Sequence, residues 1–222
     1  MDTRRDGQPL PRLSAAVPEI DGERCLLARS AASKCRACAD ACPAEALTAS
    51  DDGLGFLETA CVGCGLCLPA CPEQAIEMAR PVALRVARGR RAVFAMCQPA
   101  SVRHGAPKGA AVAPCLHAFS LRDMADWRKQ DVTHVVALAG DCGECLYGGG
   151  ERFGARAGLF SRLLSDRGLP TIAFETPDAK EWRARFEAME PPPEAGAMSR
   201  RGLFAMLRPQ SEVTAEPEPA KG

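Results

Sequence analysis

Eight of the twelve cysteines fall between residues 25 and 71, and six of those form a repeat with an offset of 29 residues. Cys35-x2-Cys38-x3-Cys42-Pro43-x2-Ala46-Leu47 recurs as Cys64-x2-Cys67-x3-Cys71-Pro72-x2-Ala75-Ile76. Cys61 completes the second copy to Cys61-x2-Cys64-x2-Cys67-x3-Cys71-Pro72. Three thiolates two residues apart wrap a tight loop around one iron–sulfur cubane, whose sulfides accept hydrogen bonds from loop amides, and the proline then directs the chain away. The fourth cysteine of such a run ligates the other cluster. The spacing therefore assigns Cys61, Cys64, Cys67 and Cys42 to one [4Fe–4S] cluster, cluster II, and Cys35, Cys38 and Cys71 to cluster I. In the first copy the position equivalent to Cys61 is Ala32, and Cys25, with nine residues between it and Cys35, is the substitute fourth ligand. A three-iron cluster or a non-cysteine ligand is the alternative there. Zinc competes less well, because zinc sites take four ligands in pairs rather than a closely spaced run ending in proline.

On these motifs, residues 20 to 79 resemble the two-cluster bacterial-type ferredoxins, with the one departure at Ala32. The resemblance implies low-potential one-electron transfer and a pseudo-twofold fold of two short hairpins and two helices.

The remaining cysteines follow apolar runs further along the chain. Cys97 follows Ala92-Val93-Phe94-Ala95-Met96, Cys115 follows Ala110–Ala113 and Pro114, and Cys142 and Cys145 follow the run from Val132 to Ala139. If these runs are parallel strands, all four thiols stand at carboxyl ends, where open α/β sheets place their sites. The Gly-rich stretch from Gly140 to Gly150 then offers backbone amides to an anionic group. Cys97, Pro114-Cys115, Gly140-Asp141-Cys142 and Tyr147 resemble the delta subunit of methyl-viologen-reducing hydrogenases over residues 91 to 170. That family is an electron-transfer adaptor with a [2Fe–2S] cluster, which implies a third cluster at Cys97, Cys115, Cys142 and Cys145. The family usually carries a second cysteine soon after the first, whereas Gln98-Pro99-Ala100 follows Cys97 here. A redox-active Cys142/Cys145 dithiol, a zinc site, or four buried free cysteines are the other readings. His104, His117 and His134 receive no role.

Elements that position these residues follow from composition and periodicity. Residues 21–80 have few large apolar side chains, too few for a conventional core, so an inorganic group must supply one. From residue 91 the short apolar runs, the last being Thr171–Phe174, alternate with helical stretches. Ser120-x-x-Asp123 signals a capping box, Phe153, Ala157, Phe160 and Leu164 share a helical face, and Pro177 opens a last helix carrying Trp182, Phe186 and Met189. The expected fold class is α+β: a dicluster ferredoxin-type domain (21–80) followed by a small α/β domain with a parallel sheet (91–190). Residues 1–20 form a mobile N-terminal segment and 81–90 a basic linker or one extended strand. Residues 191–222 form a disordered C-terminal tail. Within that tail, Ser199-Arg200-Arg201 resembles a twin-arginine export signal at the wrong end of the chain, and a docking peptide or chance is the simpler reading.

Twenty-eight basic residues balance 28 acidic ones, which argues against nucleic acid as a partner. No apolar run approaches the ~20 residues of a membrane span, and the start lacks a signal peptide's apolar stretch, so the cytoplasm is expected. The expected function is passage of single electrons between redox partner proteins, one of them a larger metal-containing oxidoreductase. The chain then acts as a non-catalytic carrier or as a subunit of an oxidoreductase. A thiol/disulfide reductase and a maturation factor for a larger metalloenzyme are the alternatives.

Overall fold

The structure is a computed structural model and describes residues 10–30, 32–50, 53–147 and 152–193. The tail segment at Arg200 and Arg201 and the glycines Gly148 to Gly150 lie outside the described residues. The chain up to Pro191 clusters as one compact unit and Pro192–Gly222 as another.

The cysteine-rich part comes first, with strand β1 (Glu19–Ile20), helices α1 (Leu26–Arg29) and α2 (Ala37–Asp40), and strands β2 (Leu47–Ser50) and β3 (Gly53–Phe56). Helix α3 (Cys67–Ala70) and strand β4 (Ile76–Glu77) complete it. The sequence repeat is a structural repeat. Glu45 and Gln74, 29 positions apart, both adopt positive φ (50° and 52°) two residues after the proline of each Cys-Pro, and the next residues, Ala46 and Ala75, are buried. β2 and β3 form one of the two expected hairpins. The second ribbon is not a hairpin: β4 pairs antiparallel with β1, from the start of the chain, Ile20 opposite Ile76. After Glu77 the chain leaves for the second half of the molecule, so the partner strand has to come from upstream.

The second half is built on a five-stranded mixed sheet from β5 (Ala83–Ala87), β6 (Arg90–Cys97), β7 (Val112–Ala113), β8 (Val132–Leu138) and β9 (Ala173–Glu175). β6, β8 and β9 are parallel in that order, as the apolar runs require. The basic stretch 81–90 supplies strand β5, which returns antiparallel on β6 through Arg88 and Gly89, both at positive φ. β5 pairs β6 only as far as Phe94, which leaves the same edge free for β7 to pair at Met96 and Cys97.

Helices α4 (Gln98–His104), α5 (Leu121–Lys129), α6 (Arg152–Ser165) and α7 (Ala179–Glu187) cover this sheet. The Ser120/Asp123 capping box forms in both directions. Asp123 also takes an ion pair from Arg80 at 2.6 Å, which ties the exit of the cysteine-rich part to α5. Phe153, Ala157, Phe160 and Leu164 are all buried on α6. At α7 the expected start, with Pro177 as the first helical residue, is corrected by two residues to Ala179. Asp178 caps the helix by accepting from the Glu181 amide, and the proline precedes the cap. Trp182 is the centre of the core: it stacks on Phe186 at 5.1 Å, meets Phe94 edge-on at 5.5 Å, and donates its indole N–H to the Val136 carbonyl at 3.0 Å. Among the described residues no helix is long and apolar enough to cross a membrane.

The segment read as a mobile lead-in makes specific contacts from residue 10 onward. The Leu13 amide bonds the Val62 carbonyl at 2.8 Å, and the Tyr147 hydroxyl donates to the Pro11 carbonyl at 2.8 Å. Leu10 and Leu13 pack on the cluster formed by Val62, Cys64, Leu66 and Tyr147.

Replacing Trp182 with alanine removes two ring contacts and the indole hydrogen bond to the Val136 carbonyl. The expected loss is about 3–5 kcal/mol, measured by urea unfolding of the sheet half. Ser120→Ala, which removes only half of the capping box, costs about 1 kcal/mol in the same assay.

Candidate metal centres

All twelve cysteines are free, and the structure gathers them around three small cavities. Cys25, Cys35, Cys38 and Cys71 line the first, with Leu54 and Ile76 closing it. Cys42, Cys61, Cys64 and Cys67 line the second, with Leu47 and Phe56. Cys97, Cys115, Cys142 and Cys145 line the third, with Leu13, His117 and Tyr147. Each cavity thus holds one of the three four-cysteine groups the sequence suggests.

Local folding explains each placement. Asp21 is anchored by its amide to the Ala75 carbonyl at 2.8 Å, and its carboxylate accepts from the Glu23 amide at 2.9 Å. That turn delivers Cys25 to the cavity of the second copy's last cysteine, and the insert after it winds into the single turn α1 before returning to Cys35. Cys38 and Cys67 sit on α2 and α3, facing inward. Cys42 and Cys71 follow those helices, and each sulfur accepts an amide hydrogen bond at 3.3 Å, from Ala46 and Ala75 respectively. These two bonds are the same interaction in the two copies, made possible by the positive φ at Glu45 and Gln74.

In the third group, Cys97 is the last residue of β6, and the Gly140 amide donates to its sulfur at 3.2 Å. Cys115 lies two residues past β7, and Cys142 and Cys145 follow β8 in the adjacent loop. The carboxyl-end placement expected of parallel strands is therefore met at all three strands. Cys142 and Cys145 lie in the loop that follows β8. His117, given no role by sequence reasoning, is buried against this cavity, and its Nδ1 accepts from the Phe153 amide at 3.0 Å. Its spacing of two from Cys115 was the available signal.

The electrostatics follow the same grouping. Burial pushes the Cys38 thiol up to about 11, with Cys71 and Cys25 adding to the rise. Burial also lifts Cys64 to about 11, beside Cys42 and Cys61, and raises Cys67 further. Cys115 is lifted by burial to about 12, with Cys97, Cys145 and also Cys64 contributing. Cys97 is raised by burial and by Cys145. Without iron these thiols are protonated at neutral pH, so binding a metal centre must expel their protons.

Donor chemistry fits iron–sulfur clusters: four thiols per cavity, apolar walls, and amides aimed at ligand sulfurs. Among the described residues no three His, Cys, Asp or Glu side chains converge on a point suitable for a single ion. The thiols stand around voids, as ligands of a multi-atom centre do, whereas zinc draws its sulfurs to ~2.3 Å from one point.

A thiol whose folded pKa lies above its unfolded value contributes stability that is intact below about 9 and lost as pH rises through the folded value. For the iron-free protein the urea midpoint is therefore expected to hold steady to about pH 8.5 and fall between pH 9 and about 11, the window set by Cys38 and Cys64. Cys38→Ala and Cys64→Ala each flatten that decline.

Neither curated proteins nor solved structures yield a match to the chain. Residues 32–81 match the family described as the LdpA Fe-S cluster-binding domain, a reach that leaves Cys25 and the four downstream cysteines outside it. The segment from Ala32 to Pro81 is an iron–sulfur cluster-binding domain.

Proposed function

We propose that the protein is a one-electron carrier, or the electron-transfer subunit of a larger metal-containing oxidoreductase in the cytoplasm, with two [4Fe–4S] clusters and a third, [2Fe–2S] cluster. Cluster I takes Cys25, Cys35, Cys38 and Cys71, and cluster II takes Cys42, Cys61, Cys64 and Cys67. The third takes Cys97, Cys115, Cys142 and Cys145. The observation that carries this reading is the crosswise sharing of thiols: Cys71 lines the cavity of Cys35 and Cys38, while Cys42 lines that of Cys61, Cys64 and Cys67. That exchange is the signature of paired cubanes and has no counterpart in independent zinc loops.

Bound iron–sulfur clusters supply reversible one-electron exchange without making or breaking bonds in a substrate. The chain's own residues set the conditions for it. The amides of Ala46 and Ala75 stabilise negative charge on Cys42 and Cys71 and so favour the reduced state. Leu47, Phe56, Leu54 and Ile76 keep water from the cavities. A dithiol reductase is the weaker reading, because Cys142 and Cys145 share their cavity with Cys97 and Cys115.

Anaerobically purified protein is expected to carry about ten irons per chain, with a broad visible absorbance that dithionite bleaches. Cys25→Ser should lower iron by about one and give the oxidised-state EPR signal of a three-iron cluster. Iron contents unchanged in both Cys25→Ser and Cys61→Ser would sink the ligand assignment.

A further inference from the structure

Cys64 stands between two glycines that are buried and held at positive φ, Gly63 at 69° and Gly65 at 74°. Each is pressed by a different segment. A Cβ on Gly63 would lie 2.6 Å from the Ser14 carbonyl oxygen and 2.8 Å from that of Ala16, so the N-terminal segment crosses directly over it. A Cβ on Gly65 would lie 2.7 Å from the Cε of Met78 and 2.9 Å from the Cβ of Ala118, three residues beyond Cys115. The loop that holds Cys64 is thus laid against the turn that follows Cys115. Cys64, Cys115, Cys145 and Tyr147 belong to one packed cluster.

The first copy has no such arrangement. Positions equivalent to Gly63 and Gly65 are Lys34 and Arg36, both exposed, and Cys35 is only half-buried where Cys64 is buried. The duplicated unit is asymmetric at this face.

We infer that Gly63 and Gly65 are positioning residues that seat the Cys64 side of the second centre on the Cys115/Cys145 side of the third, so that the three centres form a series with the second in the middle. This rests on the three-centre reading proposed above. An electron passing along the series leaves the reduced second centre and reduces the oxidised third; no bond is made and no proton moves, and the electron comes from a low-potential one-electron donor. The first centre, beneath Lys34 and Arg36, is the end of the series that faces outward.

The test uses the full-length, anaerobically reconstituted protein. EPR of the dithionite-reduced state is expected to show spin–spin interaction between the second and third centres, visible as splitting and accelerated relaxation of the third centre's signal. Gly65→Val, and separately Ala118→Leu on the opposite side of the contact, should abolish that interaction with iron content and the first centre's signal preserved. The second variant leaves the backbone at Gly65 untouched, so it reads the contact even where Gly65→Val fails to load the second centre. Ten irons with an interaction unchanged in Ala118→Leu, or an interaction that disappears in Cys35→Ser and persists in Cys64→Ser, would overturn the series while leaving the three-centre reading intact. Eight irons and no third signal in the unsubstituted protein would overturn the three-centre reading itself.

Discussion

The first eighty residues bury cysteines because they have little else to bury. Their inner cluster consists of Cys38, Leu47, Cys67, Leu68 and Ile76, so two of its five members are thiols. A hydrophobic contribution of that size is far below what ordering sixty residues costs in chain entropy. The constraint that follows is simple: a bound centre would form part of this region's core, so loading would add to its stability. Short elements are the structural consequence. Helices of four residues and strands of two to four make sense only where loops are pinned by a group they enclose.

The sheet half works by the opposite economy. It has its own large apolar core around Trp182, Phe94 and Phe186, which includes Cys97, and that core holds its loops in place. Its topology decides where the four downstream cysteines meet. β5 ends its pairing at Phe94, β7 takes the vacated edge at Met96 and Cys97, and the chain leaving β7 carries Cys115 to the same sheet end as Cys97. β8, on the other edge of β6, brings the Cys142/Cys145 loop to that end as well. Arg156 steadies the turn after Cys115 by donating to the His117 and Phe119 carbonyls.

Much of this was legible from local pattern, and what was not depended on distant partners. The 29-residue offset exposed the paired motifs, and the gap at Ala32 pointed to Cys25. The Ser120/Asp123 box and the α6 face were equally local, resting on spacings of three and four that a helix imposes on any chain. The β1·β4 ribbon was hidden because two residues of strand carry no periodicity and their partners lie more than fifty positions away. The contacts of residues 10–17 were hidden for a related reason. Leu10 and Leu13 look like isolated apolar residues in a polar stretch until the surface they cover, Val62 and Tyr147, is known. Strand β5 was ambiguous because Arg85, Arg88, Arg90 and Arg91 suggest solvent, yet Arg85 lies over the Phe186 ring at 3.8 Å and covers apolar surface while charged.

Comparing the two copies of the repeat isolates what the second half of the molecule demanded of the first. Internal duplication alone would leave both centres with equivalent outer faces, each free to carry charge. Lys34 and Arg36 show that charge is acceptable beside a cubane motif when the face meets water. At the matching positions of the second copy a side chain of any kind would collide with the Ser14 and Ala16 carbonyls on one side and with Met78 and Ala118 on the other. Even alanine would be strained there, since both backbones are left-handed and both Cβ positions are occupied. Glycine is thus the residue type that allows Cys64 to be covered from two directions at once. The first copy has no such cover over Cys35. The cover is needed only where the second motif lies in contact with the sheet half, and that makes the interface, more than the motifs themselves, the feature that sets the two copies apart.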